Sequence, residues 1–273
     1  MMQILHMTVN GVAIATVMAN AFSSALLFRR LLRSGKDIRL EPRRLRMDGR
    51  SLWMILRIGL PAGLQSAVFA ISNIVIQSAI NSLGKVVMAA SSAACNIEVF
   101  AYDVMNSYNQ ACTTFVGQNY GAGQIRRCRK TLYLCLIEDA VSLGATVALV
   151  LLTGHFLLSI FNNDPQVIAL GYDRLKIVFF AYIFSLLYEV MSGYLRGFGI
   201  SLVPAALTAL GVCGIRIAWI HFVFPQHPTL QTIMTSYPVS LSATALMIFI
   251  ALLCYRPARK HAAMEREPAP AGN

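Results

Sequence analysis

NIEVFAYDVMNSYNQACTTFVGQNYGAG, residues 96–123, is the stretch whose reading decides the fold. Its polar residues recur at helical spacing. Glu98, Tyr102, Asn106, Asn109 and Thr113 stand three or four residues apart and share one helical face, while Asn96, Asp103 and Gln110 recur every seven and form an adjacent stripe. Between them lie Val, Phe, Met and Ala, and a Gly-rich turn closes the run. The reading is a long helix over 86–116 with a broad polar face and two carboxylates near its middle.

The chain around it is too apolar for an ordinary soluble domain. Of 273 residues, 56% are hydrophobic and 13% charged, against about 25% charged in soluble proteins. A bilayer core needs about 20 apolar residues per helix. Seven segments meet that length, at 4–28, 52–83, 86–116, 131–153, 167–195, 201–223 and 231–255. The fold class is therefore all-α, a polytopic membrane protein of about seven transmembrane helices. Residues 1–32 hold one leading helix, 33–50 a basic linker, 51–255 six further helices and 256–273 a polar Pro/Ala-rich tail that is expected to be disordered.

The basic excess, 23 Lys and Arg against 12 Asp and Glu, follows the loops. With the 29–50 linker placed in the cytoplasm, 19 of the 23 fall on that side, as the positive-inside rule requires. The N-terminus is then outside and the C-terminus cytoplasmic, in a plasma membrane. The charge is explained without a nucleic-acid partner. Arg174, Lys85 and Lys176 are assigned to the outer side, and Arg216 lies within a span. The six cysteines have no C-x-x-C spacing and read as reduced, buried hydrophobes, with no metal site. Neither a P-loop nor an H-E-x-x-H or G-x-S-x-G motif occurs, so no enzyme and no cofactor is expected.

Ionisable groups inside a membrane mark functional sites by default. The polar face over 96–113 reads as the wall of a water-filled cavity, with inter-helix hydrogen bonding as the alternative. Glu189 is either a cavity carboxylate or a partner for Arg196. Asn73 and Gln77, with Asn81, repeat every four residues. Arg216 matches Glu98 in depth, which suggests a buried Glu98–Arg216 pair. Glu138 and Asp139 fall in the first two turns of 131–153 and are expected near the cytoplasm, solvated or facing the helix dipole.

Four stretches resemble the multidrug and toxic compound extrusion (MATE) family: RIGLPAGLQSAVFAISNIVIQSAINSLG (57–84), residues 96–123, GYLRGFGISLVPAALTALGVCGIRIAWIHFVFP (193–225) and TSYPVSLSATAL (235–246). VGQNYGAG and LRGFG are the most specific. The match corresponds to the last helix of the family's N-terminal lobe followed by its six-helix C-terminal lobe. It implies a fragment that lacks most of the first lobe, as the odd helix count suggests. It also implies export of amphipathic, cationic small molecules in exchange for Na⁺ or H⁺, by alternating access around a cavity between lobes. The family's C-lobe acidic positions fall near Phe69 and Ser185, neither of which is acidic. Glu98, Asp103 and Glu189 are then the carboxylates left for a cation or cationic drug, with Asn106, Asn109, Tyr102, Asn73 and Gln77 beside them. A lipid or polysaccharide flippase of the same superfamily, or a non-transporting half-bundle, are the alternatives.

Overall fold

A computed structural model describes residues 9–33, 35 and 48–255. Most of the basic linker and the tail from 256 onward lie outside the described residues. The chain divides into two compact units, Met1–Met54 and Ile55–Asn273. The first holds α1 (Val9–Arg33) and the opening turns of α2 (Gly49–Ser82). There Asp48 caps α2, its carboxylate accepting from the Ser51 amide at 2.9 Å and the Ser51 hydroxyl at 2.7 Å.

The second unit continues α2 and adds α3 (Lys85–Gly121), α4 (Ile125–Phe161), α5 (Pro165–Gly197) and α8 (Leu230–Tyr255). Between α5 and α8 lies a composite stretch of α6 (Leu202–Thr208), a π-helical segment (Ala209–Gly214) and α7 (Ile215–Phe222). The described residues thus contain seven long helical stretches. Five of them are long and apolar enough to cross a membrane: Gly63–Ser82, Ile125–Phe161, Pro165–Gly197, Leu202–Phe222 and Leu230–Tyr255. The stretch over α3 falls outside that set although it is 37 residues long. The residues that lower its hydropathy are those of the polar face.

Sequence chemistry sets the joints. Asp164 caps α5 by accepting from the Gln166 amide at 2.9 Å, and Pro165 opens the helix where no amide is needed. The YGAG and RGFG turns depend on Gly123 (φ 72°) and Gly199 (φ 79°), left-handed conformations that disfavour any side chain. At the π-helical segment, Gly211 lets the chain pass Thr244 and Met247 of α8, leaving no room for a Cβ.

The central element is α5, with 67% of its most apolar stretch buried against 22% for α4. It packs on α3, α4 and α8. The α3–α5 seam is close because α5 carries glycines there. A Cβ on Gly193 would lie 2.6 Å from the Asn109 carbonyl oxygen, and one on Gly197 2.6 Å from Val116 Cβ. Thr113 bridges the seam, its hydroxyl donating to the Gly193 carbonyl at 3.1 Å. The outer faces carry large apolar side chains such as Leu149, Leu152, Phe156 and Ile160 on α4, as expected where lipid is the solvent.

Candidate functional site

The polar face of α3 is divided by its neighbours. One edge turns inward and is buried: Ser91, Glu98 and Asn109. The other edge stays exposed on the second unit and carries Asn96, Tyr102, Asp103, Ser107 and Gln110, with Asn106 half-buried between the two. The residues that helical spacing placed on one face therefore serve two surroundings.

On the inner edge, Glu98 is fully engaged. Arg174 of α5 donates to it with Nε on Oε1 at 2.7 Å and Nη2 on Oε2 at 2.9 Å, while Nη1 reaches the Ser91 hydroxyl. Both side chains are buried. A bidentate Arg–carboxylate pair fills the lone pairs that a ligand would use. This corrects the Glu98–Arg216 pairing suggested by depth, and it moves Arg174 from an outer position into the protein interior. Depth along the membrane normal does not specify which side of a helix a residue faces. Arg216 instead points at α8, where its Nε donates to the Ser240 hydroxyl at 3.0 Å and its guanidinium lies 4.1 Å from the centre of the Tyr237 ring. Guanidinium stacked on an aromatic face in this way gains cation–π attraction.

Further along the seam, Asn109 Nδ2 donates to Glu189 Oε2 at 2.6 Å. Glu189 is thus bonded to an amide of α3 in the core. Arg196, two turns on, donates to Gln65 Oε1 of α2 at 3.2 Å. Asn73 and Gln77 are exposed on α2, with Gln77 donating to Asn81 Oδ1 at 2.8 Å.

Asp139 departs most from the sequence reading. It is 0% exposed, and both carboxylate oxygens lack a hydrogen-bond partner. Expected near water, it lies inside because α4 begins at Ile125, six residues earlier than expected, and its inner face runs through Cys128, Leu132, Cys135, Asp139 and Leu143. That series of three- and four-residue steps was visible in the sequence and would have found it. Glu138, its neighbour, is exposed.

The arrangement is thus a helical membrane bundle with buried charge, an exposed polar stripe and, among the described residues, no cluster of metal ligands. The MatE family model matches residues 61–220, more than half of the chain. The chain belongs to the MatE family, and it is a multi-pass membrane protein.

Among curated relatives, it is 22% identical over 244 residues to the probable multidrug resistance protein YoeA of Bacillus subtilis, covering 88% of this chain and 52% of that one. It is 28% identical over 245 residues to the multidrug resistance protein PmpM of Pseudomonas aeruginosa, covering 83% and 49%. It is 29% identical over 175 residues to a probable multidrug resistance protein NorM of Chromobacterium violaceum, covering 62% and 37%. The chain spans about half the length of the curated relatives it matches. The fold is similar to part of a solved structure described as the outward-facing conformation of a multidrug resistance MATE family transporter of the MOP superfamily, at TM-score 0.81 and 17% identity over 97% of this chain and 59% of that one. A MOP superfamily transporter from Pyrococcus furiosus matches at TM-score 0.79 and 19% identity, over 94% and 57%.

Proposed function

We propose that this chain is one lobe of a secondary multidrug exporter, which moves amphipathic cationic compounds out of the cell in exchange for Na⁺ or H⁺. A second lobe supplies the facing wall of the cavity, and the two rock in alternating access. The lobe lies in the plasma membrane with its N-terminus outside and its C-terminus in the cytoplasm.

The observation that carries the reading is the exposed stripe on α3. Tyr102, Asp103 and Gln110 remain uncovered on a helix whose opposite face is packed into the lobe. In a membrane protein such a stripe faces water or a partner wall, not lipid. Asp103 supplies negative charge, and Tyr102 supplies an aromatic face for a cation. Glu98 has no part in the binding, since Arg174 neutralises it. Asn106 sits between stripe and core, within reach of both, and Asn73 and Gln77 extend a polar surface on α2. Glu189, bonded to Asn109 behind the stripe, belongs to the coupling side of the cycle.

The test is efflux of a cationic dye from cells expressing the protein as its native gene encodes it, with and without Asp103→Asn. Loss of efflux with normal membrane abundance supports the assignment. Efflux and ion dependence that survive the change would remove Asp103 from the mechanism.

A further inference from the structure

Asp139 has no place in the substrate stripe, and it is not one of the structural ion pairs. Its carboxylate is enclosed where α3, α4 and α5 meet. The level is fixed by contacts on either side of it: Tyr108 on α3 shares a 2.7 Å hydrogen bond with Ser142 on α4, and Cys128 of α4 reaches the Val116 carbonyl of α3. Asn109 and Cys112 of α3 lie between those contacts. On the α5 side the seam holds Glu189, bonded to Asn109. Leu143 belongs to the large apolar cluster with Met105 and Leu186, and Cys135 to a second one with Cys112 and Val190. Asp139, between Cys135 and Leu143 on the same face of α4, lies where the two clusters adjoin.

The two carboxylates differ in what they are offered. Glu189 has a donor, the Asn109 amide at 2.6 Å. Asp139 has none, for both of its oxygens are buried and unpartnered. An ionised carboxylate there would lose its hydration with no compensating bond, a penalty that buried groups avoid by taking up a proton. The other ionisable groups of the seam are Cys112, Tyr102 and Tyr108 on α3, Cys128 and Cys135 on α4, and Tyr188, Tyr194 and Arg196 on α5. Among them only Arg196 is cationic, and it bonds to Gln65 of α2. Asn109 Oδ1 is also buried and unpartnered. Asp139 is therefore a buried pair of acceptor oxygens with no donor of its own, which is the chemistry of a site for a proton.

We propose that Asp139, Glu189 and Asn109 form an occluded proton site in which Asp139 is the resident carrier, neutral at rest and able to exchange its proton when the α3–α4–α5 seam loosens. Its use in transport rests on the antiport reading above. Its occupancy does not, and can be read without transport. In the exchange the proton leaves Asp139 Oδ for water, and the carboxylate left behind is the group a returning proton seeks.

The experiment is infrared spectroscopy on the purified protein in lipid nanodiscs near neutral pH, with a parallel carbodiimide reaction read by peptide mass spectrometry. Carbodiimides add to neutral carboxylic acids in apolar surroundings. The expected result is a neutral-acid carbonyl band that disappears in Asp139→Asn, together with an adduct on Asp139 and none on the exposed neighbour Glu138. The labelling uses the unaltered protein, so it stays decisive even if the variant fails to fold. Absence of both the band and the adduct near neutral pH would overturn the proposal. So would their removal by Na⁺ at constant pH, which would make the occupant a metal cation. A failure of gradient-driven efflux would count against the antiport reading and leave both spectroscopic signals unchanged.

Discussion

Arg174 holds Glu98 with two nitrogens, at 2.7 Å and 2.9 Å, across the packed faces of α5 and α3, and both side chains are shut off from solvent. The pair ties together two helices 76 residues apart in sequence. Its strength depends on completeness: a buried charge without its partner is far worse than no charge at all.

Glu98→Leu or Arg174→Met alone is therefore expected to destabilise the lobe by about 3–5 kcal/mol. The double variant should recover most of that loss. Thermal unfolding of the single and double variants in detergent, arranged as a double-mutant cycle, measures the coupling. Additive losses would show that the two groups act separately.

The α3–α5 seam makes a steric prediction. Gly193→Ala brings a methyl group to 2.6 Å from the Asn109 carbonyl oxygen and 2.5 Å from Asn109 Oδ1, and the backbone atom cannot turn aside. The cost should be at least the ~1–3 kcal/mol typical of overpacking, and it should disturb the Asn109–Glu189 bond. Gly144→Ala on α4, which meets nothing within 4 Å, is the control and should be neutral or slightly stabilising. Melting temperatures of the two variants decide the matter.

Much of this organisation was legible in the sequence. Length and hydropathy gave the all-helical membrane class, and the spacing from Glu98 to Thr113 identified the polar helix. The YGAG and RGFG segments read as connectors between helices, and the left-handed glycines in them, Gly123 and Gly199, are a finding of the structure. The division of that polar face was not legible, because which edge is covered depends on how α4 and α5 pack against α3. Arg174 was hidden for the same reason. By charge counting it belongs to the outer side of the membrane, and only the Ser91–Glu98 face opposite turns it inward. Asp139 was misplaced through a boundary error: IRRCRK (125–130) reads as a polar connector, yet it is the first turns of α4, with Ile125 and Cys128 facing inward.

Asp48 gives a pH-dependent effect outside the membrane-spanning segments. The hydroxyl and then the amide of Ser51 hold its carboxyl below the ordinary range. A carboxyl lowered in the folded state supports the α2 N-terminus above its usual titration range, and that support is lost as pH falls through the lowered value. Hydrogen exchange at the first turn of α2 should be faster in Asp48→Ala than in the unaltered protein at neutral pH. The difference should vanish as the solution becomes acid. A difference that persists at low pH would show that charge has no part in the cap.

Asp103 should matter to cations and not to neutral compounds. Asp103→Asn is expected to weaken binding of a monovalent cationic drug by roughly tenfold, or ~1.4 kcal/mol, and to leave a neutral amphiphile of similar size nearly unaffected. Equilibrium binding of the two ligands to the purified protein provides the comparison. Equal losses for both would point to a general disturbance of the stripe.

The central claim is that a cation gradient drives substrate export through this lobe and its partner wall. The direct measurement is dye movement in sealed vesicles containing the protein as its native gene encodes it, with a Na⁺ or H⁺ gradient imposed across the membrane. The account predicts uphill movement of a cationic dye that requires one of the two gradients, collapses when that gradient is dissipated, and is lost in Asp103→Asn. Dye movement indifferent to both gradients, or no movement from correctly inserted protein, would contradict it.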